Sequence, residues 1–210
     1  GGGPLGPPDP KGGEFIMKHV VAAVLATCAA GPVLAQAGCP VAADLARGIT
    51  IELANGGTEV YRQSAPGVVS VAGRDPDGST YAMELGQGFH LLMWEVPGDP
   101  SSRLTYDYGM AFTALPVPVA NGRWQTPVRV NGIDGARSEP QVHTYGPMVP
   151  VTIGNCTYDS FEGQIAYETS DNYVESIVYI PALGIGYLLW NESTEYARDP
   201  LPAVGIRAGK

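Results

Sequence analysis

From Ile49 onward the chain reads with a period of two. Ile49, Ile51 and Leu53 alternate with Thr50 and Glu52, and then Asn55-Gly56-Gly57 turns the chain. Alternation of this kind puts one set of side chains on each face of an extended strand, and Asn-Gly is hairpin-turn chemistry. Alternation or short apolar runs recur over residues 60–61, 68–72, 81–85, 89–96, 104–108, 123–130, 149–153, 158–168, 173–180 and 187–190. Asp75-Pro76-Asp77-Gly78 and Pro97-Gly98-Asp99-Pro100 supply turns between them. Pro116 and Pro118 forbid a central strand through 109–121, and residues 133–148 read as a polar connection. Residues 40–47 are the one helical stretch, with Pro40 suited to a first helical position and Gly48 to the position after the end. The expected fold is all-β: an antiparallel sandwich or a curled half-barrel, with one short N-terminal helix.

One pattern occurs twice. Tyr81-x-x-x-Leu85-Gly86-x-Gly88-Phe89 recurs as Tyr179-x-x-x-Leu183-Gly184-x-Gly186-Tyr187. Each copy runs on into an apolar pair and a tryptophan, Leu91-Leu92 with Trp94 and Leu188-Leu189 with Trp190. It reads as a duplicated β-meander in which each glycine pair marks a tight turn or bulge. Trp94 and Trp190 are then expected to pack in the core.

The first 37 residues read differently. Residues 1–16 carry no apolar period and are set aside as an upstream segment or expression remnant. Met17 then opens a secretory signal: Lys18 and His19, an apolar run over 20–34, and Ala35-Gln36-Ala37 as a cleavage site. The apolar run is short for a membrane span and Gly31-Pro32 interrupts it, so no transmembrane segment is expected in the mature chain. The expectation is a periplasmic or secreted domain over 38–210. Cys39 and Cys156 form an even pair for a disulfide in an oxidising compartment. Lipid attachment is the rival use of Cys39, although Gln36 fits a lipoprotein cleavage motif poorly. A net charge of −9 with no Lys/Arg cluster argues against nucleic acid and anionic lipid as partners. An envelope protein or a small ligand is the expected partner.

Motifs for chemistry are sparse. There is no G-x-S-x-G, H-E-x-x-H or C-x-x-C, so no catalytic residue, metal site or cofactor is assigned. Asp75-x-Asp77 opens like a calcium loop, but Thr80 and Gly86 stand where that loop needs glycine and glutamate. Glu162, Glu168, Asp171 and Glu175 are expected to lie on a solvated face. Tyr106, Tyr108 and Phe112 form the candidate ligand-binding group, an exposed aromatic loop beside the prolines. His90 and His143 are the histidines of the 38–210 region.

Gly154-Asn155-Cys156-Thr157-Tyr158, a strand through Ile165 to Glu168, and Tyr179-x-Pro181-x-Leu183-Gly184 together resemble the ends of uncharacterised secreted β-sheet proteins of Gram-negative bacteria. The resemblance covers residues 150–190. It implies a half-barrel whose long sheet curls over its own apolar face, and it brings no catalytic residues with it. Three readings follow. The first is an exported, non-enzymatic β-domain that binds something or serves the envelope. The second is a carrier of an apolar small ligand, which requires an internal cavity lined by residues such as Leu92, Trp94, Ile165 and Leu189. The third is a hydrolase using His90 or His143, which requires a carboxylate beside one of them in a cleft.

Overall fold

The computed structural model describes residues 38–168, 172–195 and 197–210. The signal expected over 17–37, the segment 1–16 and Asp171 lie outside the described residues. Fifteen strands are formed among those described: β1 (Ile49–Leu53), β2 (Thr58–Ala65), β3 (Val68–Arg74), β4 (Thr80–Gly86), β5 (His90–Val96), β6 (Asp99–Asp107), β7 (Arg123–Thr126), β8 (Arg129–Gly132), β9 (Gly135–Ser138), β10 (Gln141–Tyr145), β11 (Val149–Ile153), β12 (Cys156–Tyr167), β13 (Val174–Ile180), β14 (Ile185–Glu192) and β15 (Ala203–Ala208).

They build two antiparallel sheets. One has nine strands in the order β15-β1-β2-β3-β4-β5-β6-β8-β9. The other runs β14-β13-β12-β10-β7, with β11 added against β12. Neither closes into a barrel. Apolar residues of both meet in one core. Ile49, Ile51, Tyr61, Val71 and Leu85 of the larger sheet pack with Ile153, Val178, Ile180, Ile185 and Tyr187 of the smaller. Stacking two sheets on alternating apolar faces is the sandwich solution to burying both.

Several expectations are corrected. The short helical stretch expected over 40–47 takes 3₁₀ form. Ala42–Ala46 is a 3₁₀ helix of five residues, too short to sustain the cooperative α-helical ladder. The polar connection expected over 133–148 contains β9 and β10. The inward residues of β10 are Gln141, His143 and Tyr145, all buried, so this strand shows no apolar alternation. The single strand expected over 123–130 is two. Pro127 lacks an N–H, the ladder stops there, and the chain passes from the smaller sheet (β7) to the larger (β8).

Cys39 is bonded to Cys156 with their Cα atoms 5.6 Å apart, and the bridge spans 117 positions of sequence. It ties the segment before β1 to the first residue of β12.

The glycines of the recurring motif meet. The β4–β5 turn and the β13–β14 turn face each other, and the Gly186 N–H donates to the Gly88 carbonyl at 2.8 Å. Tyr179 donates its hydroxyl to the Gln87 carbonyl at 3.2 Å. The two copies are not placed alike on their hairpins, however. Gly88 lies in the turn of the first, while Gly186 lies within β14.

Candidate functional site: a cavity between the sheets

The two sheets part around a cavity of about 370 Å³. The larger sheet contributes Glu59, Tyr61, Tyr81, Met83, Leu85, Leu91 and Trp94, and the smaller contributes Ile165, Glu175, Ile177, Gly186 and Leu188. A mostly apolar, concave space of this size with a few placed polar groups is the usual form of a small-molecule site. The period of two explains the lining. Glu59 and Tyr61 share one face of β2, Tyr81, Met83 and Leu85 one face of β4, and Glu175 and Ile177 one face of β13.

Each sheet sets one carboxylate into the cavity wall and holds it with two tyrosines. On the larger sheet, Tyr61 and Tyr81 donate their hydroxyls to the two oxygens of Glu59, Tyr81 at 2.7 Å. Glu59, Gly73 and Tyr81 occupy one row across β2, β3 and β4. Because Gly73 has no side chain, the Tyr81 ring lies across it: a Cβ there would fall 2.0 Å from the ring's Cζ. On the smaller sheet, Tyr167 and Tyr173 donate to Glu175 at 2.7 and 2.8 Å.

Burial drives the electrostatics. Glu59 is raised above the ordinary carboxylate range, chiefly by loss of water, and its two tyrosine donors only partly offset this. Asp75, another residue of the lining, raises it further. Glu175 is raised for the same main reason, again with its two tyrosines opposing. Burial and the neighbouring carboxylate push Tyr61 and Tyr81 upward, so both remain protonated donors.

Sequence reasoning missed both glutamates. Glu175 was expected on a solvated face, but it lines the cavity. The available signal was the spacing: Glu59-x-Tyr61 and Tyr173-x-Glu175 put an acid and a tyrosine two residues apart. Of the residues expected to line a carrier's cavity, Trp94 and Ile165 do so. Leu92 instead packs in a separate cluster with Val68, Tyr108 and Val130. Leu189 packs against the main core, and its neighbour Leu188 faces the cavity. Trp94 is therefore a cavity residue. Trp190 is buried, with the Arg198 guanidinium 3.5 Å from its ring centre.

No family model matches the chain, and no curated protein does. Among solved structures, the chain is similar to the hypothetical lipoprotein YmcC from Escherichia coli K12, with a TM-score of 0.42 and 10% identity over 75% of this chain and 82% of that one. A likeness of this size assigns no role.

The other candidates lie elsewhere. Tyr108 is buried, donates to the Leu91 carbonyl at 3.2 Å, and stacks with Trp124 at 5.7 Å. Tyr106 is half-buried beside it, and only Phe112 stands out at 50% exposure, so the three do not share one open surface. His90 and His143 come together, with ring centres 5.2 Å apart in an aromatic cluster that includes Phe89 and Trp124. His90 Nε2 pairs with the Pro116 carbonyl at 2.8 Å and His143 Nε2 with Gln141 Oε1 at 3.1 Å. The carboxylate that the hydrolase reading required is thus replaced by a carbonyl and an amide. Burial lowers His90 to about 4 and His143 to about 3, which keeps both rings neutral at physiological pH.

Proposed function

We propose that the chain is an exported, envelope-associated domain that binds a mostly apolar small molecule between its sheets without transforming it. The cavity carries this reading. Its apolar walls of Met83, Leu85, Leu91, Ile177 and Leu188 leave a space that the core side chains do not fill. Neither His90 nor His143 is among the residues that line the cavity, which supports binding over turnover there. The signal segment read over 17–37 supports export.

The test is binding of N-phenyl-1-naphthylamine, a neutral apolar fluorophore, to the purified protein. Saturable enhancement is expected, and it is expected to fall at least tenfold in Ile177→Trp or Leu188→Trp, which fill the space. A folded wild-type protein with no saturable enhancement, or filled variants that bind as well as wild type, would overturn the reading.

A further inference from the structure

Resting on the cavity as a ligand site, we infer that its ligand is a cationic amphiphile: an apolar chain bearing an ammonium group seated at Glu59. Three carboxylates, those of Glu59, Asp75 and Glu175, are among the residues that line the cavity, and these described residues include no lysine, arginine or histidine. A carboxylate out of water is costly unless it is paired. The tyrosines satisfy only part of that need. An ionised carboxylate offers about four lone-pair positions, and each glutamate accepts from two hydroxyls. The remaining positions, and the charge itself, have no cation from this chain within the lining. An ammonium supplies three donors and the missing charge together.

The aromatic lining fits the same group. Trp94, Tyr61 and Tyr81 are among the residues that line the cavity with Glu59. Ring faces attract ammonium ions, most strongly where water is excluded, and aromatic cages are a recurrent way of recognising them. An anionic head group would lie beside acidic oxygens with no basic partner among the described residues of the lining. A neutral one would leave the carboxylates as they are.

The experiment compares three ligands with one tail: decylamine, decanol and decanoate, each displacing the naphthylamine probe from the purified protein below micellar concentrations at neutral pH. Decylamine is expected to bind at least tenfold more tightly than decanol, and decanoate more weakly than both. In Glu59→Gln the decylamine-to-decanol ratio is expected to fall toward one. Because both ligands are read on the same sample, partial unfolding cancels from that ratio. Decanol or decanoate binding as tightly as decylamine overturns the inference and leaves the apolar site standing. So does a decylamine preference that Glu59→Gln keeps. If none of the three displaces the bound probe, the inference falls, while the apolar site reported by the probe itself stands.

Discussion

The hydroxyl of Tyr81 reaches the Glu59 carboxylate across an intervening strand because the residue between them is Gly73. Two substitutions separate the parts of this arrangement. Tyr81→Phe removes one of the two donors on a buried charge and is expected to cost about 1–3 kcal/mol at neutral pH. Gly73→Ala places a methyl where the Tyr81 ring lies, so it is expected to cost at least as much. Urea denaturation of the two variants measures both. A Gly73→Ala protein more stable than Tyr81→Phe would show that the ring does not depend on the glycine.

The contact between hairpin turns gives an asymmetric pair. Gly88 and Gly184 both have positive φ, 67° each. A Cβ on Gly88 would fall 1.9 Å from the Gly184 carbonyl oxygen, a backbone atom of the facing turn, whereas a Cβ on Gly184 meets nothing within 4 Å. Gly184→Ala is expected to cost about 1–2 kcal/mol from the left-handed backbone alone. Gly88→Ala adds a clash that no side chain can relieve, so its thermal midpoint is expected to lie well below that of Gly184→Ala. Equal midpoints would contradict the geometry.

What could be read beforehand followed the parity of each strand. In β1 the inward residues Ile49, Ile51 and Leu53 are apolar and buried, so fold class was legible from such segments. In β10 the inward residues include Gln141 and His143, so no apolar alternation marks the strand. The site was hidden for the same reason. Glu59 is buried on the inward face of β2 beside Tyr61, while Val60 lies half-buried on the other face beside Arg62, so hydrophobicity does not single out the inward face. Partners such as Gly73 and Tyr81 come from neighbouring strands, and their row follows from the register that the two intervening turns set, not from the residues of β2 alone.

The neutral histidines predict a stability profile. Both have folded pKa values, about 4 and about 3, below the unfolded value of 6.5. The unfolded chain therefore takes up protons first as pH falls. Stability from these groups is full above pH 6.5 and is lost on acidification toward about 4, by up to about 1.4 kcal/mol per pH unit for each ring. Glu59 and Glu175 act in the opposite sense, because their raised pKa values relieve a buried charge on acidification. His143→Asn isolates the histidine contribution: its stability is expected to fall less steeply than that of wild type over this range. Parallel urea-midpoint profiles would show that His143 is already charged in the folded protein.

The aromatic residues of the 106–112 segment are expected to divide by burial. Phe112→Ser, at a half-exposed position, is expected to change stability by less than about 0.5 kcal/mol. Tyr108→Ala removes a buried ring stacked on Trp124 and is expected to cost about 3–5 kcal/mol. Chemical denaturation compares them directly, and a larger loss for Phe112→Ser would mean that its ring is covered in solution.

A sulfur joined to another cysteine has no capacity left for a thioether. With Cys39 bonded to Cys156, the atom that a lipid-transferring enzyme would have to alkylate is already used as a crosslink. Acylation of Cys39 and closure of the bridge are mutually exclusive fates for one chain, and the oxidised fold described here belongs to the unacylated one.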